Sequence, residues 1–229
     1  MVGTTAQLIE LAIYFNERAR GLNREPFFPA HPTCNFCEYI HFARWVDGWK
    51  VTETNPNDWA STEARATRRA VITSGTGSQR FQLHLVEGES FDTWEASWQV
   101  GDRNAPEQRI WRVVYAQTAV GAHGPLPENR SCGAVAAELR ETLHGLVAFC
   151  QRLNLGNFEA SFRDAIDLVG MGKLREACEA AWVFGGMGSW NDASYDGADG
   201  DEYQRLSRSL RNLIEEGICS AVNLESKSA

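Results

Sequence analysis

Two histidines and two cysteines in one short stretch are the first residues of the chain that could form a metal or redox site: His31, Cys34, Cys37 and His41. Thiolate and imidazole groups are zinc ligands, and a C-x-x-C pair can occupy one edge of a tetrahedral site. Pro32 suits the first turn of a helix, which would place Cys34, Cys37 and His41 along one helical face. Since one short helix cannot easily enclose an ion with four ligands, a closed zinc site would need further ligands from elsewhere in the chain.

The same stretch allows two other interpretations. A cysteine pair at the N-terminus of a helix suits redox chemistry, because the helix dipole lowers the pKa of a thiol. A proline-rich loop precedes this pair, however, where a thioredoxin-type site has a strand. The residues could also be purely structural. A metal- or thiol-dependent enzyme centred on Cys34, Cys37 and His41, with zinc as its cofactor, is therefore an alternative function.

Motifs for hydrolytic or nucleotide chemistry are absent from the sequence. It contains no G-x-S-x-G, H-E-x-x-H or Walker A pattern. Cys132 with His123 or His144 comes nearest to a nucleophile and its base, and such a pair arises readily by chance. No catalytic residue is assigned.

Acidic residues are crowded into one segment near the C-terminal end: Asp192, Asp196, Asp199, Asp201 and Glu202. Carboxylates at such spacing can bind calcium, but Ala198 and Gly200 stand where an EF-hand loop has ligands. Asp201 and Glu202 also suit the N-terminus of a following helix, where negative charge is favourable. The segment is a solvated connecting loop, a surface that binds a basic protein or, as a third alternative, a calcium site.

Negative charge is also concentrated in the C-terminal part of the chain as a whole. Residues 153–229 carry 7 basic and 13 acidic side chains, a net charge of −6, whereas residues 1–152 carry 15 and 17, a net charge of −2. This balance disfavours direct binding to DNA or RNA. It favours a protein partner with a basic surface.

The sequence predicts a cytoplasmic protein rather than a membrane or exported one. No apolar run approaches the roughly 20 residues that span a bilayer. The first residues lack a basic segment and include Glu10, so they predict a helix and not a signal peptide. In the cytoplasm the six cysteines should mostly stay reduced.

Hydrophobic periodicity predicts an α+β fold. Helices are expected over 5–20 and 61–72, and alternating residues predict strands at 80–87, 92–100 and 109–116. The Asp47-Gly48 pair predicts one further hairpin. Short connections indicate a small antiparallel meander of about three to five strands. Trp94, Trp98 and Trp111 should share this sheet, either in its core or, on an open face, as a recognition surface.

After about residue 130 the hydrophobic period becomes helical. Four helices are expected in this part, over 133–153, 157–170, 172–184 and 201–217. Short connections predict that they form a bundle. We therefore divide the chain into an α+β part, 1–130, and a helical part, 131–229.

A glycine-rich stretch between the last two predicted helices is the most unusual part of the chain. It comprises Phe184, Gly185, Gly186, Met187, Gly188, Ser189, Trp190, Asn191 and Asp192. Its first glycines can take the left-handed conformation that ends a helix. Met187 and Trp190 can pin the loop to the bundle, and Ser189 with Asp192 has the form of a capping box. These features predict a structural junction.

This stretch, with Val183 before it and a helix rich in Leu and Arg after it, resembles a bacterial helical domain of uncharacterised role. Members of that domain share the signature F-G-G-M-G-S-aromatic-N-D. The resemblance covers about 155–220, and the acidic loop after Asp192 is longer here than in that domain. It implies a small cytosolic bacterial protein, with some members beside toxin–immunity or defence genes, and it implies no catalytic residue.

Together these observations predict a non-catalytic cytosolic factor that binds another protein. In its most specific form it is an immunity or antitoxin-like protein whose acidic C-terminal half masks a basic toxin surface. A structural subunit of a bacterial complex is a further alternative.

Overall fold

The two parts of the chain differ in architecture. The computed structural model describes residues 3–22, 24–46, 49–53, 55–74, 81–185 and 188–225. The chain divides into an N-terminal unit, formed mainly by 2–127, and a C-terminal unit, 128–224. Within the described ranges the first contains two α-helices and a six-stranded sheet, and the second contains four α-helices. The predicted α+β class is confirmed.

The sheet of the N-terminal unit combines antiparallel and parallel pairing. The elements of this unit are α1 (Gly3–Ala19), β1 (Cys37–Val46), β2 (Trp49–Glu53), α2 (Pro56–Glu63), β3 (Arg68–Ser74), β4 (Phe81–Glu87), β5 (Ser90–Val100) and β6 (Trp111–His123). The strand order is β2-β1-β6-β5-β4-β3. Neighbouring strands are antiparallel except β1 and β6, which run parallel. The described sheet thus exceeds the predicted range by one strand.

Aromatic side chains form the core between this sheet and its helices. Trp59 of α2 stacks on Phe42 of β1 with ring centroids 4.1 Å apart, and Phe15 of α1 lies 5.2 Å from the Trp59 ring. Trp94 meets Trp59 edge-on at 5.7 Å and is 1% exposed. Burial of such large apolar surfaces is the main stabilising contribution to this unit.

An asparagine side chain joins α1 to the edge strand β3. Asn16 Nδ2 donates to the carbonyl of Ala70 at 2.9 Å, and the Ala70 N–H donates to Asn16 Oδ1 at 2.7 Å. The amide therefore satisfies both backbone groups that an edge strand otherwise leaves unpaired. These two bonds fix the position of α1 on the sheet.

Two local predictions in this unit are wrong. The helix predicted over 61–72 is instead α2, which begins after the N-cap Asn55 and ends at Glu63, followed by β3. The run Val71-Ile72-Thr73 is β-branched and favours a strand. Likewise Cys34, Cys37 and His41 do not share a helical face, because a short 3₁₀ helix, Pro32–Cys34, leads directly into β1. Asp47 and Gly48 lie outside the described residues, but the strands beside them pair as predicted.

In the described residues of the C-terminal unit there are four α-helices, the predicted number: α3 (Cys132–Leu153), α4 (Gly156–Gly170), α5 (Leu174–Ala180) and α6 (Gly197–Glu225). Helix α5 ends four residues before its predicted end at 184. Ser131 caps α3 by accepting the N–H of Ala134 at 3.3 Å. The helices pack closely, since a Cβ at Gly217 of α6 would lie only 2.6 Å from Cys178 Sγ of α5. No helix in the described ranges is both long and apolar enough to cross a membrane.

Candidate functional site

Trp190 organises the junction between α5 and α6. The residue is fully buried. Its ring lies 5.1 Å from Phe158, 5.4 Å from Phe162 and 5.2 Å from Tyr203 between centroids. Its indole N–H donates to Ser207 Oγ at 2.6 Å, and the Tyr203 hydroxyl donates to the Trp190 carbonyl. Since large aromatic groups are the main apolar surface here, this cluster ties the loop to α4 and α6.

Polar groups of the same stretch are also used internally. Asp192 Oδ2 accepts the N–H of Ser189 at 3.1 Å, which is the carboxylate half of a capping box. Arg211 donates to Asn191 Oδ1 at 3.2 Å and lies 4.6 Å over the ring of Phe184. Gly185 and Gly188 have φ values of 100° and 76°, which favour glycine. Gly186 and Met187 lie outside the described residues. The described part of the stretch is therefore a structural junction.

Two of the five clustered carboxylates hold an arginine. Arg152, near the end of α3, donates to Asp199 Oδ1 at 3.0 Å and to Glu202 Oε2 at 2.6 Å. Both carboxylates belong to the first turns of α6, where negative charge is also favourable. This ion pair fixes the orientation of Asp199 and Glu202 and neutralises part of their charge.

Asp192 is used at the capping box, and the other two carboxylates of the cluster are open to solvent. Asp196 and Asp201 are exposed. Within the described ranges their side chains form no hydrogen bond and no ion pair. We call the set Asp192, Asp196, Asp199, Asp201 and Glu202 the acidic surface. Asp192, Asp199 and Glu202 stabilise the fold through the contacts above. Asp196 and Asp201 are the two residues of the acidic surface that are available to a partner.

Basic side chains elsewhere in the C-terminal unit do not balance this surface. Residues 128–224 contain 9 basic and 15 acidic side chains, a net charge of −6. Arg130 is held by Glu138 and Glu216, and Arg163 by Glu159. The unit therefore carries a negative field that extends beyond the acidic surface itself.

The predicted cysteine site lies in a hydrogen-bonded core. Cys34 and Cys37 are 0% and 1% exposed. Cys34 Sγ donates to the carbonyl of Phe27 at 3.6 Å, and Gln7 Nε2 donates to Cys37 Sγ at 3.4 Å. Burial raises the pKa of Cys34 to about 12, with a further contribution from Cys37, and burial also raises the pKa of Cys37. Both are therefore neutral thiols near pH 7, whereas nucleophiles and metal ligands are thiolates.

The two histidines of the predicted site make separate local contacts. His31 Nδ1 lies 2.9 Å from Thr33 Oγ1, and its Nε2 lies 3.7 Å from Glu10 Oε2. His41, on β1, stacks on Tyr39 with centroids 4.1 Å apart, and burial lowers its pKa. In the part of the chain that the structure describes, no group of three or more His, Cys, Asp and Glu side chains is arranged to hold a metal ion.

Thiol labelling tests this account of the cysteines. We expect Ellman's reagent at about pH 8 to modify one of the six thiols rapidly in the native protein. That thiol is Cys132, because it is half-buried while the other five are buried. A Cys132→Ser variant should lose the rapid phase, and denaturant should release the remaining thiols. Rapid native modification of Cys34 or Cys37 would contradict the account.

The three tryptophans predicted to share the sheet do so, with different exposures. Trp94 is in the core, whereas Trp98 and Trp111 are half-buried and meet with centroids 5.9 Å apart. Phe36 and Val100 lie at the same end of β5 and β6 and are 54% and 44% exposed. This end of the sheet offers an apolar patch but no structural indication of its occupant.

Comparisons with known proteins add no assignment: no protein-family model, curated protein or solved structure matches the chain. The resemblance of 155–220 to a bacterial helical domain stays a prediction.

Proposed function

We propose that the protein is a non-catalytic binding factor that recognises a basic protein through its acidic surface. The observation that carries this proposal is the state of Asp196 and Asp201. Both carboxylates are exposed, and neither forms a hydrogen bond or ion pair within the described ranges. They stand beside Asp199 and Glu202, whose orientation Arg152 already fixes.

The arrangement suits recognition of cationic side chains. Two carboxylates of fixed orientation stand next to two open ones, so the surface presents several hydrogen-bond acceptors to a cation. Because the fixed pair needs no further ordering, the entropic cost of binding is lower. The net charge of −6 on residues 128–224 would also speed encounter with a basic partner. Because exposed charges are screened over about 8 Å at physiological ionic strength, association should slow as salt rises.

An immunity or antitoxin-like factor is the specific form of this proposal. It is supported by the negative charge and by the sequence resemblance of the C-terminal part. A masked toxin surface that binds nucleic acid would be basic, and an acidic protein face is complementary to it. The thiol-dependent alternative has less support, because burial raises the pKa of both Cys34 and Cys37.

Capture from a lysate of the native host, followed by a matched variant, tests the proposal. The full chain should recover a basic protein, and the double variant Asp196→Asn/Asp201→Asn should lose most of that protein. The control is Asp164→Asn/Asp167→Asn, which makes the same change in charge at two exposed positions of α4. The control should still capture the partner.

Stability distinguishes loss of binding from loss of fold. Asp201 lies near the N-terminus of α6, so its neutralisation should cost no more than about 1 kcal/mol. The thermal midpoints of both double variants should therefore stay close to that of the wild type. Equal capture by the two double variants, or an acidic partner, would show that the acidic surface is only a connector.

A further inference from the structure

A cleft of about 330 Å³ lies in the N-terminal unit, between helix α1 and the proline-rich loop that follows it. Its volume is within the range of ligand pockets. Its principal walls are Glu10, Tyr14 and Glu17 from α1 and Arg24, Phe27 and His31 from the loop. The cleft is separate from the acidic surface, which belongs to the C-terminal unit.

Aromatic rings contribute to the lining of this cleft. Phe27 lies 5.4 Å from Tyr14 and stacks on the His31 ring at 4.8 Å with an interplanar angle of 8°. Phe27 is held in place because its N–H donates to Asn57 Oδ1 at 2.7 Å. Tyr14 and Phe27 are buried, whereas the His31 side chain is 31% exposed. The lining of the cleft therefore includes a partly exposed imidazole ring that is stacked on a buried phenyl ring.

Three carboxylates also line the cleft. Glu10 and Glu17 lie about two turns apart on α1, and Glu25 adds a third carboxylate from the loop. Glu10 Oε2 lies 3.7 Å from His31 Nε2, so this carboxylate is next to the imidazole ring. The Glu17 side chain is only 15% exposed and pairs with the guanidinium of Arg24, whose side chain is 59% exposed. The cleft thus already holds one guanidinium of its own chain on Glu17.

We propose that this cleft binds the guanidinium group of an arginine side chain on a partner protein. Glu17 and Glu10 accept its N–H groups, and the flat guanidinium lies against the His31 ring. A planar cation that donates in a fork suits carboxylates beside an aromatic face better than a compact ammonium does. In the free protein Arg24 competes for Glu17, and the incoming arginine displaces it.

Small probes test the proposal on the intact chain. Acetyl-arginine amide should bind with a dissociation constant in the range of about 1 mM, as expected for a ligand of this size, and should shift amide resonances of residues 10–17 and 24–32 in NMR spectra. Acetyl-citrulline amide has the same shape but no charge, and it should not bind. Equal binding of the two probes would refute a guanidinium site.

Two variants assign the binding to the cleft. Glu17→Gln should weaken the arginine probe by about tenfold or more, since it removes a charged acceptor. Arg24→Ala should tighten it several-fold, because it removes the internal competitor at a mostly exposed position. Glu89→Gln, an exposed carboxylate of the same unit, is the matched control and should have no effect. An unchanged affinity in Arg24→Ala would contradict displacement.

A third probe distinguishes a protein side chain from a free metabolite. Free L-arginine adds an α-ammonium and an α-carboxylate whose charges cancel, so it should bind no better than the blocked amide if the cleft recognises only the guanidinium. Tighter binding of the free amino acid would replace the docking assignment with a small-molecule site. Because all three variants lie in the N-terminal unit, their outcome is independent of the test of Asp196 and Asp201.

Discussion

Replacing Trp190 with alanine is expected to lower the free energy of unfolding of the C-terminal unit by about 3–5 kcal/mol. The ring is fully buried and makes aromatic contacts with Phe158, Phe162 and Tyr203. Its removal leaves a large cavity and also leaves Ser207 without its indole donor. Chemical denaturation followed by circular dichroism measures the change.

One further variant at this junction and one control elsewhere in the unit complete the test. Ser207→Ala removes the partner of the indole N–H and the contact of Ser207 with the Tyr203 hydroxyl. It should cost about 1–3 kcal/mol, because a buried donor is left unpaired. Met171→Ala changes an apolar residue that is 68% exposed and should stay within about 0.5 kcal/mol of the wild type. A cost below about 1 kcal/mol for Trp190→Ala would show that the stretch Phe184–Asp192 does not anchor α6.

Arg68→Met should destabilise the N-terminal unit by a similar amount, about 3–5 kcal/mol, because it leaves the buried carboxylate of Asp92 without its cation and removes one of the two cations at Glu63. Arg68 donates to both Glu63 and Asp92, whose side chains are 8% and 11% exposed. Its Nε lies 3.4 Å from Glu87, and Arg44 provides a second contact to Glu63 at 2.8 Å. The guanidinium thus joins α2, β4 and β5 at one point.

The neighbouring arginine gives the matched control for this prediction. Arg69 lies next along β3, so its side chain points to the opposite face of the sheet. Arg69→Met should change the free energy of unfolding by no more than about 1 kcal/mol. If the two variants cost the same in urea denaturation, the buried ion-pair network does not stabilise the unit.

Local sequence patterns predict secondary structure well where contacts between residues close in sequence determine it. The helices of the C-terminal unit were predicted because apolar residues such as Leu139, Leu143 and Leu146 repeat at helical spacing and are buried as expected. Helix α6 nevertheless begins at Gly197, four residues before the predicted start at 201. The acidic residues in its first turns are stabilised by the helix dipole and by Arg152. Because Arg152 lies far away in sequence, the local pattern did not indicate this earlier start.

Non-local pairing explains what the sequence analysis missed in the sheet. Strand β1 joins the sheet by running parallel to β6, with Ile40 opposite Val113 and Phe42 opposite Tyr115. A parallel neighbour so distant in sequence leaves no turn signal between the strands. The Pro32 helix signal therefore dominated the prediction, and the real helical turn ends after three residues.

The sequence patterns did not predict the cleft between α1 and the proline-rich loop, although some of its lining residues follow a visible pattern. Glu10, Tyr14 and Glu17 recur at spacings of four and three, which places them on one face of α1. In the sequence alone, these carboxylates resemble ordinary solvent-exposed residues of a helix. Only the fold of the proline-rich loop brings Phe27 and His31 against them.

The central claim is that Asp196 and Asp201 form the part of the acidic surface that a basic partner contacts. The most direct measurement is the dissociation constant of the captured partner, by isothermal titration calorimetry, for the wild type and the two double variants. Asp196→Asn/Asp201→Asn should weaken binding by about tenfold or more, with a smaller dependence on salt, while Asp164→Asn/Asp167→Asn should stay within about twofold of the wild type. Equal dissociation constants for the two double variants would contradict the claim.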